Sequence, residues 1–258
     1  MDQHDTHLIT RLAETEADRL GAERLRYKVF VEELGGNGAL VDHENRFERD
    51  RFDDHADHLV LIDTRLDPAT YEHVVGVYRL MTGETADTLG GFYSESEYDL
   101  TVLKNSGRRL LELGRSCVHP DHRGGTAMYQ LWNALAQYVD DMDAEVLFGV
   151  ASFHGRNPNA IAPSLSLLHH AHLAPEDLRV RAVRDAFQPM DLLPRDQIDR
   201  LAAMRAVPAL IKAYLRLGGF VGEGAFIDHD FNTIDVCLVM DTARLNDRSR
   251  AIYGGGRS

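Results

Sequence analysis

Only two cysteines, Cys117 and Cys237, occur in 258 residues, and they lie 120 positions apart. That excludes a disulfide scaffold and a cysteine-only zinc site and fits a reducing compartment. Basic residues are also scarce, 28 Lys and Arg against 41 Asp and Glu, a formal net charge of −13. An acidic surface repels nucleic-acid phosphates and anionic membranes, so no nucleic-acid partner is expected. Long apolar runs are missing. The longest stretch without Asp, Glu, Lys or Arg, Asn157 to Pro175, is broken by Pro158, Pro163 and three histidines and cannot serve as a spanning helix. The acidic start, Met-Asp-Gln-His-Asp, does not read as a signal peptide. A G-x-S-x-G elbow is absent, which removes the usual serine-hydrolase reading.

What remains has the makeup of a soluble, cytoplasmic globular protein, 44% hydrophobic and 27% charged. Apolar periodicity predicts strands over 8–13, 59–62, 74–81, 109–118, 146–153, 220–227 and 233–240. It predicts helices from Glu14 to the Gly35-Gly36 stop, over 126–139 and over 208–217, with a short one in 94–103. One α/β domain over 1–244 is expected, with an insertion at 154–207 and a flexible tail at 245–258.

The most informative unit is strand, Gly-rich turn, helix. Arg123-Gly124-Gly125-Thr126 opens a helix, where unpaired N–H groups and the positive dipole end favour an anion. A plain tight turn is the ordinary alternative.

The run Leu111 to Gly125, with Glu112, Arg115 and the Arg123-Gly124-Gly125 turn, resembles strand four, the pyrophosphate loop and helix three of the GNAT N-acyltransferase fold. Tyr214-Leu215-Arg216-Leu217-Gly218-Gly219-Phe220 is similar to that family's Tyr-x-x-x-Gly-Phe with one extra glycine. Together with Leu25-Arg26-Tyr27-Lys28-Val29-Phe30, the acidic loop 42–57 and Gly149 to Gly155, these segments resemble the bacterial ornithine-lipid N-acyltransferases over roughly residues 8–240. The resemblance implies a mixed, mostly antiparallel sheet flanked by helices, with a helical insertion before the last helix. It also implies transfer of a 3-hydroxyacyl chain from acyl carrier protein to the α-amine of L-ornithine, giving lyso-ornithine lipid. No tightly bound cofactor is implied; the donor arm is the carrier's 4′-phosphopantetheine or CoA. The usual Arg/Gln-x-x-Gly-x-Gly/Ala loop is replaced here by glycines directly after Arg123, which suits a single phosphate.

The same resemblance nominates residues. Amide formation needs a proton acceptor and stabilisation of an oxyanion. Glu112 is the expected base, the backbone near Val118 the oxyanion donor and Tyr214 the proton donor to the departing thiolate. Arg123, Gly124, Gly125 and Thr126 would hold the phosphate. Arg26, Phe30, Asp50, Asp53, Arg79, Arg115 and Ser152 would line the substrate site, with one or two acids of the 42–57 loop holding the ornithine side-chain ammonium. Acyl-homoserine-lactone synthases carry a similar pattern, with which Arg26, Phe30, Asp50, Asp53, Arg79, Phe92, Glu112 and Arg115 can be aligned, and are the competing enzyme class; a non-catalytic carrier-binding module is the third. Glu112 and Arg115 point to opposite faces of a regular strand, so a shared role demands a bulge.

Charge is divided along the chain. The 42–57 loop carries seven acids against three arginines, whereas 178–218 carries eight basic residues against four acids. Arg179, Arg181, Arg184, Arg205, Lys212 and Arg216 are therefore expected to dock an acidic carrier protein. A transient inner-membrane surface contact would let the amphiphilic product leave. His169, His170 and His172 lack partners at ligand spacing, so no metal is expected. His172-Leu-Ala-Pro-Glu-Asp177 fits the H-x4-D box of O-acyltransferases with no second box beside it, and Cys117 is a small buried apolar residue by default.

Overall fold

The computed structural model describes residues 7–38, 40–123 and 126–244, so the expected tail at 245–258 lies outside the described residues. Its strands are β1 (Leu8–Leu12), β2 (Asp57–Asp63), β3 (Val74–Thr82), β4 (Tyr98–Asp99), β5 (Leu110–Val118), β6 (Val146–His154), β7 (Arg181–Ala182), β8 (Phe187–Gln188), β9 (Phe220–Val221), β10 (Ala225–Asp228) and β11 (Thr233–Asp241). The helices are α1 (Glu16–Arg26), α2 (Gly83–Leu89), α3 (Thr101–Lys104), α4 (Ala127–Asp141), α5 (Ala162–His172), α6 (Arg200–Ala206) and α7 (Ala209–Arg216). The main sheet runs β1-β2-β3-β5-β6-β11-β10-β8, with β9 also on β11. Its strand pairs are antiparallel except β5 with β6.

Alternation along the strands sorts the core into two layers. Ile234, Val236, Leu238 and Met240 of β11 join Leu131 and Leu135 of α4 and Ile211 of α7 on one face. Cys237 and Val239 face the other way, against Leu103, Leu178 and Val180. Farther along that second face, Ala22 and Leu25 of α1 cover Val60 and Val77. Leu131 is fully buried, and truncating such a leucine costs about 2–5 kcal/mol.

Local chemistry explains the ends. Thr15 and Asp18 form a capping box at the start of α1, each side chain accepting from the other's backbone N–H. The helix passes without a break into a π-helical turn over Tyr27–Glu33, ended by Gly35 at φ +77°. The expected strand 220–227 is split, because a Cβ at Gly222 would collide with Val180 and Gly224 sits at φ +78°. In place of the expected 94–103 helix there is a 3-10 turn (Tyr93–Ser96), β4 and the one-turn α3.

The insertion at 154–207 is less purely helical than expected. It holds α5 and α6, but β7 pairs with β4 and β8 adds to the main sheet beside β10. Its strands are two residues long, too short for a periodic signal.

Candidate active site

β5 and β6 pair only from Leu110–Val146 to Glu112–Phe148. Beyond that point β5 follows β3 and β6 follows β11, so the two middle strands part. A cavity of about 250 Å³ fills the gap and reaches both faces of the sheet. On the α4–α7 side its wall is apolar and aromatic, made by Leu147, Leu210, Tyr214, Leu238 and Met240. On the other side it is polar, made by Arg79, Glu97, Glu112, Ser152 and Asp235.

A bulge brings Glu112 and Arg115 to this one cavity. Val77 pairs with Cys117 and Arg79 with Gly114, so Arg115 and Ser116 together oppose Tyr78 alone. Arg115 takes φ +49° to make the extra residue fit. Its guanidinium stacks over the Tyr93 ring at 4.4 Å and lies 3.0 Å from Asp50 Oδ2.

The Glu112 carboxylate is buried and accepts from the backbone N–H groups of Tyr93 (3.0 Å) and Ser94 (2.7 Å). Burial pushes its pKa up despite those donors and the nearby Arg79. It forms no ion pair with Arg115, which is held by Glu48 and Asp50. On the opposite face, Tyr214 OH donates to Tyr78 OH at 3.5 Å, which also accepts from Trp132 Nε1 at 3.2 Å. The base and acid candidates thus flank the strand gap from its two sides.

Of the residues expected at the substrate site, Phe30, Arg79, Arg115 and Ser152 line the same cavity. Arg26 does not. It is fully enclosed, donating to Glu48 Oε2 (2.5 Å) and bidentately to Asp53 (2.5 and 2.7 Å). Asp53, expected to contact substrate, is held by Arg26 and Arg79, and these guanidiniums overcome burial to keep its pKa well below the usual range. Asp50 bridges Arg79 at 2.6 Å and Arg115, and lines a neighbouring polar cleft rather than the cavity. Of the loop acids expected to hold an ammonium, Glu48, Asp50 and Asp53 are instead occupied by arginines of the protein.

Val118 is also absent from the cavity wall, which includes Gly114, Arg115 and Ser116 instead. His119 N donates to Val75 O, so antiparallel alternation turns the Val118 N–H away from β3. Arg123 forms a bidentate pair with Glu33 (2.6 and 2.7 Å), so its charge is already matched; Thr126 stands at the N-cap position of α4 without a side-chain capping hydrogen bond, and Gly124 and Gly125 lie outside the described residues.

The docking candidates are spread over the insertion and α7. Arg184, Arg205 and Arg216 are exposed; Arg181 pairs with Glu223 at 2.9 Å, Arg179 donates to Ala174 O, and Lys212 donates to Arg205 O. None is part of the cavity wall.

Three wall carboxylates, Glu97, Asp228 and Asp235, were not among the sequence candidates. Each offers an oxygen within 4.8 Å of the others, an all-carboxylate set able to hold a cation. Burial and the neighbouring acids push Glu97 well up, and burial with Asp228 pushes Asp235 to about 6. An aspartate in the apolar run Thr233 to Met240 was the available signal. Glu97 and Asp228 sit in ordinary polar stretches and gave none.

Residues 25–133 match the acetyltransferase (GNAT) domain family model. The chain is 58% identical to an L-ornithine N(alpha)-acyltransferase of Rhodobacter capsulatus, over 94% of this chain and 93% of that one. It is 42% identical to the protein of the same name from Brucella abortus, over 96% and 89%. The chain belongs to the L-ornithine Nα-acyltransferase family. It is therefore an N-acyltransferase of the GNAT fold, as the residues of the strand–turn–helix unit had suggested. Among solved structures, the CoA-dependent acyl-homoserine lactone synthase BjaI superposes with a TM-score of 0.55 at 13% identity, covering 96% of this chain and 88% of that one. FeeM, an N-acyl amino acid synthase from uncultured soil microbes, gives 0.54 at 11% identity, covering 94% and 97%. At these identities the likeness is one of fold.

Proposed function

We propose that the enzyme transfers a 3-hydroxyacyl chain from acyl carrier protein to the α-amine of L-ornithine, forming lyso-ornithine lipid. The observation that carries this reading is the two-sided cavity at the β5–β6 gap. Its apolar side suits an acyl thioester and its polar side an amino acid. Relatives named for ornithine Nα-acylation supply the acceptor. The exposed arginines at 184, 205 and 216 suit an acidic carrier, whose 4′-phosphopantetheine would bring the thioester to the gap.

In this reaction the neutral α-nitrogen attacks the thioester carbonyl, and a C–N bond forms as the C–S bond breaks. Glu112 accepts the proton lost by nitrogen, and Tyr214 donates one to the departing sulfur. Solvent exchange then resets both groups. A backbone N–H at the end of β5, near Val118, whose N–H turns away from β3 toward the edge that β6 leaves, would meet the oxyanion. No helix among the described residues is long and apolar enough to cross a membrane; the amphiphilic product would leave through a transient contact with the membrane surface.

The test is mass spectrometry after incubation with ornithine and 3-hydroxyacyl carrier protein, with S-adenosylmethionine or 3-hydroxyacyl-CoA substituted in parallel. N-(3-hydroxyacyl)ornithine formed from the carrier thioester is expected. Acylation of a different amine instead would overturn the acceptor, and product from CoA alone would overturn the donor. Glu112→Gln is expected to lower kcat by about 10²–10⁴-fold, and Tyr214→Phe by less, with melting temperatures preserved.

A further inference from the structure

Glu97 follows the turn that Glu112 holds, Asp228 ends β10 and Asp235 lies inside β11, so three separate elements deliver three carboxylates to one place. Glu97 and Asp235 are each 3% exposed and face the cavity. Glu97 Oε2 and Asp235 Oδ1 are buried and accept no hydrogen bond. Asp235 Oδ2 accepts from Thr233 Oγ1 at 3.2 Å, and among the described residues no arginine, lysine or histidine forms an ion pair with any of the three. A buried carboxylate oxygen without a donor costs several kcal/mol. Two such oxygens beside the partly exposed Asp228, whose Oδ1 accepts from Asp230 N (2.7 Å) and Phe231 N (3.0 Å), make a crowded acidic set that is stable only when partly protonated or around a cation.

We propose that Glu97, Asp228 and Asp235 bind the side-chain ammonium of the acceptor, and so determine the specificity of the enzyme for a diamino acid. The assignment rests on the ornithine reading above. An ammonium presents three N–H donors, one for each carboxylate. Its charge lets the acids ionise where burial and mutual repulsion oppose this. Arg115 lines the same cavity and acts electrostatically on both Glu97 and Asp235, but its guanidinium is already paired with Glu48 and Asp50 and leaves the three acids without an ion pair of their own. With the side-chain nitrogen held in its protonated form it has no lone pair to attack with. The α-nitrogen is then the one left to meet the thioester beside Glu112. Glu97 and Asp228 also line the polar cleft next to the cavity, giving the acceptor an entry separate from the apolar side.

The experiment compares ornithine with 2-aminopentanoic acid, which has the same carbon chain and no side-chain amine. Steady-state rates are measured for the wild-type protein, Glu97→Gln, Asp235→Asn and the double variant. For ornithine we expect KM to rise at least about tenfold in each single variant with kcat little changed, the scale of one lost charge-assisted hydrogen bond. The kcat/KM for 2-aminopentanoic acid should stay level or rise. An ornithine preference as large in the double variant as in the wild-type protein would overturn the assignment. Calorimetry on the wild-type protein is independent of how the variants fold: ornithine should bind at least about tenfold more tightly than 2-aminopentanoic acid, and equal affinities would overturn it. So would a stoichiometric divalent metal whose removal by EDTA abolishes ornithine binding. Absence of ornithine acylation by the wild-type protein would instead strike the acceptor reading itself.

Discussion

Two acidic clusters lie close together, and they are built in opposite ways. Glu48, Asp50 and Asp53 are threaded by Arg26, Arg79 and Arg115, each carboxylate meeting at least one guanidinium. Glu97, Asp228 and Asp235 meet none among the described residues. The first cluster is complete without a ligand and fixes the loop before β2 onto β3 and β5. The second is incomplete until a cation arrives. Acid content alone does not mark a cation site; an unfilled acceptor does.

Breaking the paired cluster should have the largest effect. Arg26→Met leaves Glu48 and Asp53 buried without their central cation and is expected to cost about 3–5 kcal/mol, read by urea and thermal unfolding. Melting within a degree or two of the wild type would show that Arg79 and Arg115 suffice to hold the cluster.

The two clusters should also respond to pH with opposite sign. Asp53 has its folded pKa depressed, so its contribution is present above the unfolded value of about 4 and lost as pH falls below it. Asp235 has its folded pKa raised to about 6, so the folded state binds the extra proton and stability falls as pH rises from about 4 through 6. Without ligand, the Glu97→Gln/Asp235→Asn double variant should therefore gain a few degrees of melting temperature on the wild type between pH 4 and 7. A constant difference across that range would remove the contrast.

The smallest effect is expected at the surface. Arg123→Gln breaks the pair with Glu33, whose partners are 42% and 38% exposed, and should change stability by less than about 1 kcal/mol. A larger loss would give Arg123 a structural weight that its exposure does not suggest.

Much of the fold was legible because long elements carry long signals. The strands at 109–118, 146–153 and 233–240 appear within one residue of their expected limits, as do the ends of the 208–217 helix. α2 was missed: its sequence Gly-Glu-Thr-Ala-Asp-Thr-Leu is polar, and the Thr82 cap starts it. The site was legible where one strand and one helix carry it, at Glu112, Arg115 and Tyr214. It was illegible where its members come from distant segments, as with Glu97, Asp228 and Asp235.

By itself the sequence determined the long strands of the sheet and the need for a bulge between Glu112 and Arg115, because each depends on neighbours within a few residues, and its separated motifs pointed to the family. Only the tertiary structure decided which carboxylates are free. Arg26 reaches Asp53 across 27 positions and Arg79 reaches Asp50 across 29, and pairing at that range depends on how the chain folds back. In the loop that looked suited to a cation, Glu48, Asp50 and Asp53 are taken by the protein's own arginines, and an aspartate inside an apolar strand is left without one.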